Sequence, residues 1–181
     1  MARLRALRKA GKATNVKELL KTREHHLLAN DGEDVLVFGD KKTLSYMSTT
    51  SLILADGTFS CLLKGYTQQY IFHAVVANNV SVPTLFCLVN QKKKQTYTRI
   101  LRLVEGVAES NGTTFFNRPV TVMCDFEDGF IKAVKQLYKS VTVKCCLFHF
   151  TKNIRDNARQ IITKVKHAVG EKTAIFRMAQ R

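Results

Sequence analysis

The hydrophobic positions of this chain follow two periods, and the alternation between them lays out its elements. Short apolar runs of strand length occupy Ser51–Asp56 (SLILAD), Gln69–Asn78 (QYIFHAVVAN), Pro83–Asn90 (PTLFCLVN), Val120–Asp125 (VTVMCD) and Val141–Leu147 (VTVKCCL). Such runs, rich in β-branched and aromatic residues, predict strands. Between and after them the apolar positions recur every three or four residues, which predicts helices. Tyr97, Ile100, Leu101, Val104, Val107 and Ala108 form such a stripe within 95–109, with Arg99, Arg102, Glu105 and Glu109 falling outside it. Phe130, Ala133, Val134, Leu137 and Tyr138 do so within 127–138, and Ile154, Ala158, Ile161, Val165 and Val169 within 150–169.

Turn chemistry sets the connections. Asn78, Asn79 and Pro83 mark a reversal, so the strands on either side pair as an antiparallel hairpin. Asn111 and Gly112 stop the helix before them. Upstream, Asn30–Asp34 (NDGED) reads as a turn, Asp34–Asp40 as a short strand and Lys41–Met47 as one or two helical turns. Residues 3–12 read as a basic helix, and Asn15–Leu28 as a second, capped by Asn15 with Glu18 three residues on. The core order is therefore strand, strand, strand, helix, strand, helix, strand, helix. Three hairpin-connected strands followed by alternating units imply an α/β mixed sheet with helices on its faces.

Composition adds a partner class to that outline. The chain has 181 residues, enough for one medium domain with its own core. Lys and Arg number 29 against 14 Asp and Glu, a formal net charge of +15, which points to a polyanion such as nucleic acid. The excess is concentrated at the two ends, before Arg23 and after Thr151. On the last helix Lys152, Arg155, Arg159 and Lys166 fall opposite the apolar stripe. That basic stripe reads either as a solvated face or as a phosphate-contacting surface. Five cysteines (Cys61, Cys87, Cys124, Cys145 and Cys146) make an odd count, four of them in or beside strand-like runs, which suggests reduced, buried thiols of an intracellular protein. No apolar run approaches the roughly 20 residues a membrane span needs, and no secretory signal is expected. The basic start is compatible with a transit peptide or a nuclear signal.

Three features could carry chemistry. Asp56 and Asp125 each follow an apolar strand. If those strands are parallel neighbours, both carboxylates emerge at one sheet edge, where paired hard oxygen ligands suit magnesium or manganese. Such cations can activate a water or a 3′-hydroxyl at a phosphodiester. Structural readings stand beside this one. Asp56-Gly57 is a common turn dipeptide, and Asp125 with Glu127 and Asp128 resembles a helix cap with an acidic first turn. Cys146 and His149 form a Cys-x-x-His step between the last strand and helix. A structural zinc needs four ligands, and the spacing supplies two, so zinc is not expected. No glycine-rich phosphate loop and no nucleophile–base pattern is present.

Order and spacing together resemble the transposase domain of Mutator-like elements. The matching segments are Asp56–Phe59 (DGTF), Asp125–Glu127 (DFE), the C-x-F-H of Cys146, Phe148 and His149, and Asn153–Arg155 (NIR). Val82–Asn90, Gln95–Leu101 and Val35–Asp40 resemble that family as well, so the likeness spans about 34–160. The resemblance implies a ribonuclease-H-like fold, with the first core strand central in the sheet, parallel to the fourth. It implies a DDE-type enzyme that uses Mg²⁺ or Mn²⁺ to cut and transfer DNA strands, with Asp56 and Asp125 as its first two acids. The family's third acid, a glutamate, follows well beyond the C-x-x-H step. Glu171 lies too close to that step to match it, so the chain is expected to be truncated and incomplete as a catalyst. DNA at element ends and target is the implied partner, with self-association open and a nuclear location expected. The expected organisation is a basic helical segment over 1–33, the transposase domain over 34–169 and a basic tail over 170–181. The alternative function is a non-catalytic nucleic-acid-binding protein of transposase descent.

Overall fold

A computed structural model describes residues 26–33, 35–58 and 65–179, with side chains described through residue 165. The chain forms two compact units, residues 1–144 and residues 145–181. In the first, strands β1 (Leu27–Asn30) and β2 (Leu36–Gly39) precede helix α1 (Lys41–Thr49). Then come β3 (Leu52–Thr58), β4 (Gln68–Val76), β5 (Val80–Val89), α2 (Lys94–Ser110), β6 (Val120–Cys124), α3 (Asp128–Leu137) and β7 (Val141–Cys145). The second unit is the helix α4 (Leu147–Ala179). No helix among the described residues is long and apolar enough to cross a membrane.

The seven strands form one mixed sheet in the order β1-β2-β5-β4-β3-β6-β7. β3 pairs antiparallel with β4, and β4 with β5, while β3 and β6 run parallel. This is the ribonuclease-H-like arrangement expected from the sequence, with the first core strand central beside the fourth. The antiparallel hairpin between β4 and β5 is also as expected. Its turn is Ala77–Asn79, where Asn78 and Asn79 take left-handed backbone at φ 60° and 57°. Asparagine is among the few residues other than glycine that visit that region readily. Pro83 does not take part in this reversal. It lies inside β5 opposite His73, where the register slips by a residue between Phe72 and His73. A proline cannot donate to a ladder, and a bulge is where a strand tolerates one.

Alternation places the core. Val35 and Val37, Ile53 and Ala55, Tyr70, Phe72 and Ala74, Leu85, Cys87 and Val89, and Val120, Val122 and Cys124 share one buried cluster. Each set has a single parity along its strand, so all of these side chains face the same side of the sheet. The stripes of α2 (Tyr97, Ile100, Leu101, Val104) and α3 (Phe130, Ala133, Val134) meet them there, with Leu44 and Met47 of α1. Rings fill the centre. Tyr70 stands edge-on to Phe72 and Tyr97 at 5.6 and 5.4 Å between centroids, and 4.8 Å from Phe130. Such pairs add to the stabilisation that area burial alone provides.

Several expectations are corrected. The helix expected over Asn15–Leu28 does not reach its C-terminal limit, because Leu27 and Leu28 lie in β1, where Leu27 pairs with Phe38 of β2. Its upstream part and the helix expected over 3–12 lie outside the described residues. The last helix starts at Leu147, three residues before Phe150, where it was expected to begin. Of the apolar stripe expected on it, Ile154, Ile161 and Val165 are 54%, 63% and 56% exposed. Of the thiols, Cys87 and Cys124 are buried as expected, Cys146 is half-buried and Cys145 is exposed, while Cys61 is outside the described residues.

Glu105 is the other departure. It was placed off the apolar stripe of α2, yet it is only 4% exposed. Its carboxylate accepts from the backbone N–H of Phe115 and Phe116 at 3.2 and 3.0 Å and from Asn117 Nδ2 at 3.2 Å. The Thr114 hydroxyl donates to it too. A buried carboxylate so surrounded clamps the segment before β6 onto α2, which holds Phe115 and Phe116 in the core. Arg118 completes the clamp by donating through Nη2 to the carbonyls of Met47 and Thr50 at 2.8 and 2.6 Å. Glu105→Ala should lower unfolding stability by about 3 kcal/mol, since it leaves buried N–H groups without acceptors. Urea unfolding of the two proteins measures this, and a drop below about 1 kcal/mol would show the clamp to be dispensable.

Candidate active site

The parallel pairing of β3 and β6 sets the geometry. Its register runs Leu52↔Thr121, Ile53↔Val122, Leu54↔Met123 and Ala55↔Cys124. Asp56 is the next residue on β3 and Asp125 directly follows β6, so the two stand side by side one step beyond the last pair of the ladder. Adjacent strands lie about 4.8 Å apart, which brings two carboxylates to one sheet edge. The structure thus joins the two acids picked out from the sequence. Asp56 is exposed and Asp125 half-buried.

The simpler structural readings of these residues do not hold. Asp56-Gly57 is not a turn, because β3 continues through both residues, with Asp56 opposite Ile71 and Gly57 opposite Tyr70. Asp125 is not the cap of α3, which starts at Asp128 with Glu127 at its cap. Instead, Asp125 Oδ1 accepts from the Glu127 backbone N–H at 3.0 Å, a local turn that keeps one carboxylate oxygen occupied.

Groups beneath and beside the pair sense its charge. Tyr70, fully buried, has its pKa raised by burial first and then by the negative charge of Asp125, with Cys124, Tyr97 and Asp56 adding to it. Tyr97 is likewise raised, by burial and by the charges of Glu127 and Asp125. Both phenols are therefore neutral donors at any ordinary pH. Glu127 lies 3.8 Å from Lys92 Nζ, a partly exposed pair of small energetic weight. On the same face as Asp56, one step diagonally along β4, His73 Nδ1 is 3.1 Å from the Ser81 hydroxyl. Burial lowers the His73 pKa, and the charge of Asp56 works against that.

Among the described residues, no set of three or more His, Cys, Asp or Glu side chains is arranged to hold a metal ion. Asp56 and Asp125 offer two hard oxygen donors, which fits part of the coordination shell of a magnesium or manganese ion. Cys146 opens α4, its carbonyl accepting from Phe150 N–H at 3.0 Å. His149, half-buried in the first turn, stands edge-on to Phe148 at 5.5 Å. Lys152, Arg155 and Arg159 are exposed on α4, and the Lys166 side chain is outside those described.

Tyr70 and Tyr97 sense the charge of Asp125, Glu127 donates its N–H to it and Gln68 accepts from Tyr97, and sequence reasoning did not single them out as site residues. One signal for Gln68 was present. It shares the core parity of Tyr70 and Phe72, and a polar side chain on the buried face of a strand needs an explanation.

A family model described as MULE transposase domain matches residues 52–153. No curated protein and no solved structure matches the chain.

The His73 shift has a definite sign. Its folded pKa lies below the ordinary 6.5, so the unfolded chain takes up a proton first as pH falls. Stability is then full above about pH 6.5 and declines as pH drops from there toward the folded pKa. Thermal unfolding from pH 8 to 5 should show this decline, and His73→Asn should flatten it. Asp56→Asn removes the opposing charge and should move the His73 pKa lower still, read by NMR titration of the ring. A His73 pKa that rises in Asp56→Asn would place the carboxylate elsewhere.

Proposed function

Because this chain belongs to the MULE transposase domain family, and is therefore transposase-derived, we propose that Asp56 and Asp125 are two acids of a DDE-type strand-transfer site. The observation that carries this reading is the register Ala55↔Cys124, which makes neighbours of two aspartates 69 positions apart in sequence. Asp56 and Asp125 would hold Mg²⁺ or Mn²⁺, which supplies charge neutralisation at a scissile phosphodiester and a lowered pKa for the attacking hydroxyl. The chain's own contribution is placement. Asp56 is held within β3 and Asp125 just after β6, and the Glu127 N–H orients Asp125. The core behind them excludes water from one side.

The same reading gives α4 a role in binding DNA. Between residues 147 and 165 it carries Lys152, Arg155, Arg159 and Lys164 against Asp156 alone. All four of these basic side chains are exposed, and the nearest acid to Arg159, Asp156, stands 4.0 Å away at the solvent surface. Phosphate contacts from such a helix would position the duplex without reading its sequence. A second reading keeps the DNA contact and drops the chemistry. It is favoured by one observation, that the acid pair has no third carboxylate, histidine or cysteine arranged with it among the described residues.

Duplex DNA binding should weaken steeply with salt. Replacing Lys152, Arg155 and Arg159 together by alanine should reduce the log–log slope by about 0.9 for each phosphate that is no longer neutralised. An unchanged slope would remove α4 from the interface. Asp125→Ala should leave that slope as it is while abolishing Mn²⁺-dependent nicking of supercoiled plasmid. DNA binding without any such nicking in the wild type would favour the second reading.

A further inference from the structure

The connection from β5 to α2 carries Lys92, Lys93 and Lys94, the one run of three consecutive basic residues in the chain. All three are exposed. The fold gains little from them. Lys93 directly precedes α2 and gives it no side-chain cap, and the first turn holds no acidic residue. The start of a helix carries partial positive charge, so cations there oppose the helix, and adjacent lysines repel one another. A run that works against its own helix calls for another purpose.

Topology brings this run to the acid pair. β3 and β5 both run antiparallel to β4, and β6 runs parallel to β3, so β3, β5 and β6 all end at one edge of the sheet. Asp56 and Asp125 stand at that edge. Across β4, Asp56 is level with Ile71 and Ile71 with Phe86, and β5 ends three residues beyond Phe86, at Val89. Contacts then tie the run to Asp125. Lys92 Nζ lies 3.8 Å from Glu127 Oε2, and the Glu127 N–H donates to Asp125 Oδ1 at 3.0 Å. Gly129, in the first turn of α3, sits so close to α2 that an added Cβ would meet the Lys94 backbone nitrogen at 3.3 Å. The run therefore flanks the segment that carries Asp125.

We propose that Lys92, Lys93 and Lys94 form a phosphate-contact site that seats the backbone of duplex DNA at the sheet edge holding Asp56 and Asp125. The inference rests on the reading of DNA as the partner given above. Phosphates brought to this edge meet the carboxylates of Asp56, Asp125 and Glu127, which repel them. Lysines beside those acids supply the opposite sign. Each is a compact charge on a flexible stem, suited to holding a phosphate without reading a base. The site would give the unit that carries the acids a DNA contact of its own, in addition to α4.

The opposite edge of the sheet offers a charge-matched control. β2 runs antiparallel to β5, so α1, which follows β2, starts at that far edge with exposed Lys41 and Lys42. Lys93→Gln with Lys94→Gln leaves the Lys92–Glu127 pair in place and changes the net charge as much as Lys41→Gln with Lys42→Gln. Fluorescence anisotropy of a short duplex, over a salt series in EDTA, compares the two. The Lys93/Lys94 variant should lower the log–log salt slope by about 0.9 per lysine and weaken binding at about 0.1 M salt by about 10-fold or more. Its melting temperature should stay unchanged or rise, because repulsion at the start of α2 is relieved. The Lys41/Lys42 variant should bind within about 2-fold of wild type. Equal losses in the two variants would overturn the proposal, since binding would then follow net charge alone. Wild-type affinity in the Lys93/Lys94 variant would overturn it too, and so would a lower melting temperature, which would give these lysines a structural role. Binding that depends on Lys93 and Lys94, with no Mn²⁺-dependent nicking by the wild type, supports this contact and removes only the catalytic reading of the acids. Nicking by the wild type with unaltered binding in the variant does the reverse. No duplex binding by the wild type would overturn both.

Discussion

One parallel pairing makes this protein more than a hairpin sheet. β3 and β6 are separated by the β4–β5 hairpin and by α2, yet their backbones must hydrogen-bond in one register. A parallel pair cannot be joined by a tight turn, so the chain has to cross over the sheet to bring β6 beside β3. α2 is part of that crossover, and its apolar stripe is what seats it on the sheet. If the register slipped by one residue, Val122 and Cys124 would leave the core, and Asp125 would no longer stand beside Asp56. Core packing and site geometry are therefore set by the same ladder.

Buried polar groups secure that crossover and then appear again at its end. Glu105 holds the segment that delivers Phe115 and Phe116 before β6, and Arg118 ties the start of β6 to the end of α1. The Glu105 network is dense in hydrogen bonds, as buried charge requires. The cluster at Gln68, Tyr70 and Tyr97 differs. It lies in the same apolar surroundings but is only partly satisfied.

α4 follows a different logic from the other helices. α2 and α3 bury their stripes against the sheet, whereas the described apolar residues of α4 are exposed alongside its basic ones. A helix that shows water both an apolar and a basic face offers long Lys and Arg side chains freedom to reach phosphates. The described parts of the two units differ in packing and in their density of basic residues.

Periodicity by itself determined most of the element order, the β4–β5 hairpin and the core stripes of α2 and α3. Each of these depends on neighbours in sequence, where a period of two or 3.6 leaves its mark. Motif order also named Asp56 and Asp125, since acids closing two apolar runs are visible in a linear string, although β3 runs on past Asp56 to Thr58. Other features depended on partners far away in the chain. Leu27 and Leu28 belong to a strand because β2 offers an edge, although their spacing suits a helix. Glu105 is inside because four donors from 114–117 converge on it, a fact no helical wheel contains. Pro83 looked like a turn residue until the bulge beside His73 gave it a place within a strand. The close approach of the Gln68 side chain to Gly57 emerged only when β4 was laid against β3, because it joins residues eleven positions apart.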